Sequence, residues 1–358
     1  MSLRYSAKNI LVKAPNWVGD AVMATPAYRC MRRSYPRAHI SVLLRPYVRD
    51  ILSHGPWFDE VIEYQPAEGN GIAGWRKGAK HFLRTVRNLR ERNLDLALLL
   101  THSFRSALLA KLSGAQYRIA NSCGDQSWLL TDSLPWPRQN GHRVPMPKVE
   151  AYMRLCRHLG CPAADDTRLE LHYGAEETEK ARRLIRKAGG DPDRPLAGIV
   201  PGAAFGAAKF WDTEKFAAVA DAIVERYGWQ PALLCAPGEE ELARHITQCM
   251  KRDPVQPPPR DFGLDVLKPV VNMCRLMITT DTGPRHVAEA FDVPTVVIMG
   301  PTDPRHTETS YQKRRVVRVD VSCGPCHLRT CPTDHRCMRR ITADMVLEAA
   351  AEVLGEKS

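Results

Sequence analysis

Short runs of branched and apolar residues, each followed by a helix-length pattern, recur along this chain and begin again after a glycine- and proline-rich break. That rhythm limits the fold more than any other feature. A strand returning parallel to its neighbour needs a crossover connection, and a helix is the usual one. Asn9–Lys13, His39–Leu44, Glu60–Tyr64 and Leu94–Leu100 read as strands of a first set, with helices over Ala21–Tyr35 and Trp75–Arg92. Helices near 147–159 and 175–188 follow, and Gly189–Pro195 reads as a turn. The second set has strands Leu196–Val200, Pro231–Cys235, Leu276–Thr280 and Thr295–Met299, with helices at Thr213–Tyr227, Glu239–Cys249 and Pro284–Phe291. A length of 358 residues suits two domains. The expected fold class is α/β: two Rossmann-like, doubly wound domains over 1–174 and 175–358, facing a central cleft.

Composition narrows the function classes. Hydrophobic residues make up 44%, too many for a disordered chain. No stretch approaches the roughly 18 apolar residues of a membrane span. Residues Met1–Ile10 lack the long apolar core and small-residue cleavage site of a secretory leader, so the expected compartment is the cytoplasm. The 51 Lys and Arg against 40 Asp and Glu give a net charge of +11, which favours anionic partners. Each basic cluster alone, such as Arg182–Lys187, reads as a solvated helix face.

Three polar turns sit where a strand hands over to a helix. In Ala14–Asp20, Gly19 permits a tight turn and Asp20 falls at the helix start. An Asp there serves as an N-cap, or as a base that takes a proton from a hydroxyl. In Pro201–Trp211, small residues including Gly202 let a ligand approach the backbone, and Lys209 offers a positive charge to a diphosphate. The spacing is not that of a Walker loop. In Thr280–His286, Asp281, Thr282 and Gly283 combine a carboxylate, a hydroxyl and backbone N–H groups, with Pro284 suited to a first helical turn. His286 lies inside that helix, where a structural role is as fitting as a ligand-binding one.

Together these segments, with Met299–Pro304, resemble glycosyltransferase family 9, the ADP-heptose:lipopolysaccharide heptosyltransferases; the Pro15–Asp20 form is closest to the type II members. The resemblance implies a GT-B fold and an inverting transfer from an ADP-sugar to an acidic lipopolysaccharide core acceptor. It places the chain peripherally on the inner-membrane face, with no metal needed for transfer. It implies that Asp20 is the general base, that Lys209 contacts the donor phosphates, and that Asp281 lies near the donor sugar. Thr282 and Gly283 match backbone contacts to the diphosphate, with Gly202 and His286 in the same donor motifs. Glu239 or Glu240 matches the ribose contact. Another nucleotide sugar or acceptor within the family remains an alternative.

Of the eleven cysteines, Cys30, Cys123, Cys156, Cys161, Cys235, Cys249 and Cys274 are scattered and read mostly as small buried hydrophobes. Cys323, Cys326, Cys331 and Cys337 are crowded, with His327 and His335 between them. In a reducing compartment that crowding points to a structural zinc ion, or secondly an iron–sulfur cluster. Two other readings compete. Gly69–Gly74 matches the G-x-G-x-x-G of nicotinamide-dependent oxidoreductases, but it opens no first βαβ unit and reads as a loop. A nucleic-acid binder would use the basic charge, yet no recognised binding motif accompanies it. Asp191-Pro-Asp193 mimics a metal-binding motif of other glycosyltransferases but reads as a turn.

Overall fold

The computed structural model describes residues 3–65, 71–122, 126–162 and 164–356, with the backbone alone for 71–77. Gly69 and Asn70 of the glycine-rich run, and Cys123, lie outside the described residues. The chain divides into two compact units, the first comprising 1–168 and 305–309 and the second 169–304 and 310–358. The change of unit thus falls at Arg168/Leu169, a little before the 174/175 boundary expected from the sequence, and a five-residue return belongs with the first unit.

The first unit contains β1 (Asn9–Lys13), α1 (Val18–Met23), α2 (Thr25–Ser34), β2 (His39–Leu44), α3 (Pro46–Leu52), β3 (Glu60–Glu63), α4 (Gly71–Arg90), β4 (Leu96–Leu99), α5 (Phe104–Leu112), β5 (Tyr117–Ser122), β6 (Asp132–Pro135), a β7 (Arg138–Gln139)–β8 (His142–Arg143) hairpin and α6 (Lys148–His158). Its sheet is parallel throughout, in the order β3-β2-β1-β4-β5-β6. The order reverses between β1 and β4, so the loops leaving those strands diverge around an opening. One helix expected over Ala21–Tyr35 is two, meeting at Ala24, because Pro26 opens a new helix where its missing N–H costs nothing. Helix α4 reaches back to Gly71, so the Gly71–Gly74 part of the glycine-rich run is helical rather than looped. Each glycine costs a helix about 1 kcal/mol, which a long cooperative helix tolerates.

The second unit contains α7 (Ala175–Lys187), β9 (Leu196–Val200), α8 (Thr213–Tyr227), β10 (Gln230–Leu233), α9 (Glu240–Cys249), α10 (Leu264–Met273), β11 (Cys274–Thr280), α11 (Gly283–Ala290), β12 (Thr295–Ile298), β13 (Arg314–Val317), α12 (Arg336–Arg339) and α13 (Ala343–Val353). The parallel order β10-β9-β11-β12-β13 places its switch point between β9 and β11. β9 and β12 are buried along their whole length, as both-face coverage by helices demands. Phe216, Ile223 and Ile246 from the helices pack on Ile199, Ile278 and Ile298 of the strands. Each such side chain contributes about 1.5–3 kcal/mol on burial.

Asp191–Asp193 is a turn: Asp193 N–H donates to Asp191 Oδ1 at 2.9 Å, and Arg182 holds the Asp193 carboxylate at 2.7 Å and 2.9 Å. Cys30, Cys156, Cys161, Cys235 and Cys274 are buried, whereas Cys249 is exposed at the end of α9. Among the described residues no helix is long and apolar enough to cross a membrane.

Candidate active site

Because β9 and β11 are neighbours at the switch point, the loops at their carboxyl ends must meet. The β9 loop delivers Lys209 on a short 3-10 turn, Ala207–Lys209. The β11 loop delivers Asp281. Lys209 Nζ donates to Asp281 Oδ2 at 2.6 Å and to the Asp281 carbonyl at 2.7 Å. Arg285, one turn into α11, donates to Asp281 Oδ1 at 2.8 Å. The Thr302 hydroxyl, after β12, donates to Asp281 Oδ2 at 2.6 Å. Burial alone would raise the Asp281 carboxyl. The charges of Arg285 and Lys209, with the hydrogen bonds from Lys209 and Thr302, more than offset that and hold it well below the usual carboxylate range.

Lys209 is therefore not the open cation that the sequence suggests. Its side chain is buried and committed to Asp281. The group still carries two cations, Lys209 and Arg285, against one carboxylate. The surplus positive charge lies beside Thr282 and Gly283, where Thr282 is the N-cap residue of α11 and Gly283 its first residue.

Gly202 is set by close approach. A Cβ there would lie 1.9 Å from Glu239 Oε1, so only glycine leaves room for that carboxylate. Glu239 Oε2 accepts from Ala236 N–H at 2.9 Å, and burial pushes its carboxyl up. Glu240 is exposed and its Oε1 accepts from Gly238 N–H at 3.2 Å, so Glu239 is the carboxylate turned toward the β9 loop. His286, next to Arg285, does not join the hydrogen bonds around Asp281. It is buried, its Nδ1 lies 3.5 Å from Glu289 Oε2, and Glu289 Oε1 accepts from Arg314 at 2.8 Å. Burial, then the charge of Arg285, pushes the imidazole down.

In the first unit the corresponding loops follow β1 and β4. Asp20 is the third residue of α1; Trp17 occupies the N-cap position without a side-chain bond. The capping reading of Asp20 therefore fails, and among the described residues no side chain pairs with its carboxylate. It lies close enough to act on His102 after β4, on Tyr28 of α2 and on Tyr152 of α6. Burial pushes His102 down, and its Nδ1 lies 3.2 Å from the Asn121 carbonyl oxygen.

The cysteine segment reaches back to the β9 loop. Ala208 N–H donates to the Arg329 carbonyl at 2.9 Å, and His335 Nε2 lies 2.7 Å from the Ala208 carbonyl oxygen. His327 N–H donates to the Pro301 carbonyl at 2.8 Å. Gly206 adopts φ 151°, and a Cβ there would strike the Arg329 carbonyl oxygen at 2.4 Å. Burial raises the Cys337 thiol, and the neighbouring thiols of Cys331, Cys326 and Cys323 raise it further. Among the described residues no three His, Cys, Asp or Glu side chains are gathered closely enough to hold a metal ion.

Sequence reasoning assigns no role to Arg285, Thr302, Arg329 or His102, and it notes His335 only as lying between the cysteines. Only Arg285 carries a local signal, four residues after Asp281 on the helix it opens.

Asp281→Asn is expected to cost about 3–5 kcal/mol, because two buried cations lose their shared counter-charge. Lys209→Met should cost less, about 1.5–3 kcal/mol, because Asp281 keeps Arg285 and Thr302. Chemical denaturation of the intact chain checks the order; equal losses would contradict Asp281 as the common partner.

Comparison with known proteins identifies the family. The sequence model of glycosyltransferase family 9 (heptosyltransferase) matches residues 82–336, well over half of the chain. Lipopolysaccharide heptosyltransferase 2 of Salmonella typhimurium is 29% identical over 357 residues, covering 97% of this chain and 99% of that protein. The solved E. coli ADP-heptose lps heptosyltransferase II superposes with a TM-score of 0.77 and 26% identity, covering 97% of this chain and 98% of that one. A family 9 glycosyltransferase from Veillonella parvula gives a TM-score of 0.82 at 22% identity, covering 100% of this chain and 99% of that one. The α/β fold is the GT-B fold those proteins share, and this chain belongs to glycosyltransferase family 9.

Proposed function

We propose that this chain transfers a heptose from ADP-heptose to the lipopolysaccharide inner core, with inversion at the anomeric carbon and without a metal ion in the transfer step. The observation that carries this reading is the buried Lys209–Asp281–Arg285 group, with its surplus positive charge beside Gly283 at the start of α11. A leaving diphosphate gains negative charge as the glycosidic bond breaks, and fixed cations and N–H groups stabilise that change. The near-full-length similarity to a lipopolysaccharide heptosyltransferase 2 supports heptose as the sugar and lipopolysaccharide as the acceptor.

Asp20 accepts the proton of the acceptor hydroxyl. The hydroxyl oxygen then bonds to the anomeric carbon from the face opposite the diphosphate, and ADP leaves. Glu239, beside Gly202, binds the ribose hydroxyls. Asp20→Asn should lower kcat by about 10²–10⁴-fold while leaving ADP affinity unchanged. Wild-type turnover in that variant would remove Asp20 from the mechanism.

We further infer that Cys323, Cys326, Cys331 and Cys337 hold one structural zinc or iron ion. Four thiols of one segment, three of them acting on Cys337, form a thiophilic donor set. As placed, the side chains do not form a coordination sphere, so the ion's part is to draw the segment together. Elemental analysis of protein purified without added metal should find about one equivalent. A folded, active sample with less than about a tenth of an equivalent of zinc and iron together contradicts the site.

A further inference from the structure

β1 ends on a lysine that the fold buries. Ile10, Leu11, Val12 and Lys13 are all shielded from solvent in the middle of the first sheet, and Lys13 is 5% exposed. Its ammonium donates to the Ala14 carbonyl at 2.7 Å and to Asn16 Oδ1 at 3.2 Å. Both acceptors are neutral. The charge acting on it is that of another cation, Arg45, just after the adjoining strand β2. Burial, with Arg45 adding to it, pushes the Lys13 ammonium down to about 7.

Arg45 is half-buried. Its Nε is buried without a hydrogen-bond partner among the described residues. It interacts with the hydroxyl of Tyr47, which itself donates to the Asn16 carbonyl. Among the described residues neither Lys13 nor Arg45 pairs with a carboxylate. Three other cations with largely shielded side chains do pair with carboxylates: Lys209 and Arg285 with Asp281, and Arg314 with Glu289. Two like charges held together without a counter-charge are unfavourable, and an incoming anion removes that cost.

Their place in the fold identifies the ligand. Lys13 ends β1, Asn16 and Trp17 lie in the loop that follows it, and Asp20 lies in the first turn of α1, so Lys13 and the proposed base flank one loop, while Arg45 stands just after the neighbouring β2. Trp17 and Tyr47 are exposed beside them, aromatic faces suited to the apolar faces of sugar rings. We propose that Lys13 and Arg45 form an oxyanion subsite that binds a phosphate or carboxylate substituent of the acceptor glycan and thereby presents its hydroxyl to Asp20. This rests on the transferase reading above and adds the acceptor chemistry that the reading leaves open.

Two measurements test it. In the first, acceptor KM is compared for intact core glycan, phosphatase-treated glycan and carboxyl-reduced glycan. Wild type should show a KM about tenfold higher for whichever stripped form has lost the bound group, which also tells phosphate from carboxylate. In Arg45→Gln and in Lys13→Met, that stripped-to-intact ratio should fall towards one, with donor KM unaltered. A ratio that stays at its wild-type value in both variants overturns the subsite. In the second, inorganic phosphate is titrated into full-length protein carrying ¹³C-labelled lysine. The Lys13 ε-carbon resonance should move in wild type and stay fixed in Arg45→Gln; a fixed resonance in wild type, or an equal movement in both, overturns the proposal. Absence of transfer to any core glycan overturns the transferase reading alone, and the phosphate titration then decides on the subsite by itself.

Discussion

The second unit is organised around one carboxylate. Asp281 sits at the end of the central strand β11 and accepts from three elements at once: the β9 loop through Lys209, α11 through Arg285, and the segment after β12 through Thr302. Burying a single carboxylate is costly, and burying two cations nearby is more so. The combination persists because each charge answers another and the lone pairs are filled. Its consequence is geometric. The loops on either side of the switch point are fixed relative to each other before any ligand arrives. That is the preorganisation electrostatic stabilisation of a leaving group requires. The cysteine segment adds a second constraint, through the backbone bond that Ala208, on the loop that carries Lys209, donates to the Arg329 carbonyl.

The first unit follows the same topological logic with different chemistry. Its switch-point connections leave a carboxylate, Asp20, without a hydrogen-bonding partner among the described residues, near a histidine, His102, whose imidazole burial pushes down. A base needs its lone pairs free, whereas an electrostatic hub needs them occupied. Asp20, on the helix that follows β1, and Asp281, directly after β11, both belong to switch-point connections, and they differ in that respect.

The sequence makes the strand–loop–helix junctions legible because their signals are local. Asn9–Lys13 and Leu196–Val200 are runs of branched residues ending in turn residues, and they fold as read. Asp20, Lys209 and Asp281 stand out for the same reason, since each lies in a polar turn between a strand and a helix. What stays hidden is pairing at a distance. No pattern announces that Thr302 serves Asp281, that Gly202 is small for the sake of Glu239, or that Gly206 makes way for a carbonyl more than a hundred residues later. His286 shows the reverse. A polar residue in a ligand-binding motif invites a ligand role, but helical periodicity turns it inward to Glu289.

The most direct test of the account is mass analysis of purified lipopolysaccharide core glycan incubated with the protein and ADP-heptose. The account predicts that the glycan gains one heptose residue for each ADP released, with the new linkage opposite in anomeric configuration to the donor. ADP release without a gain in glycan mass, or a linkage that retains the donor configuration, would contradict it.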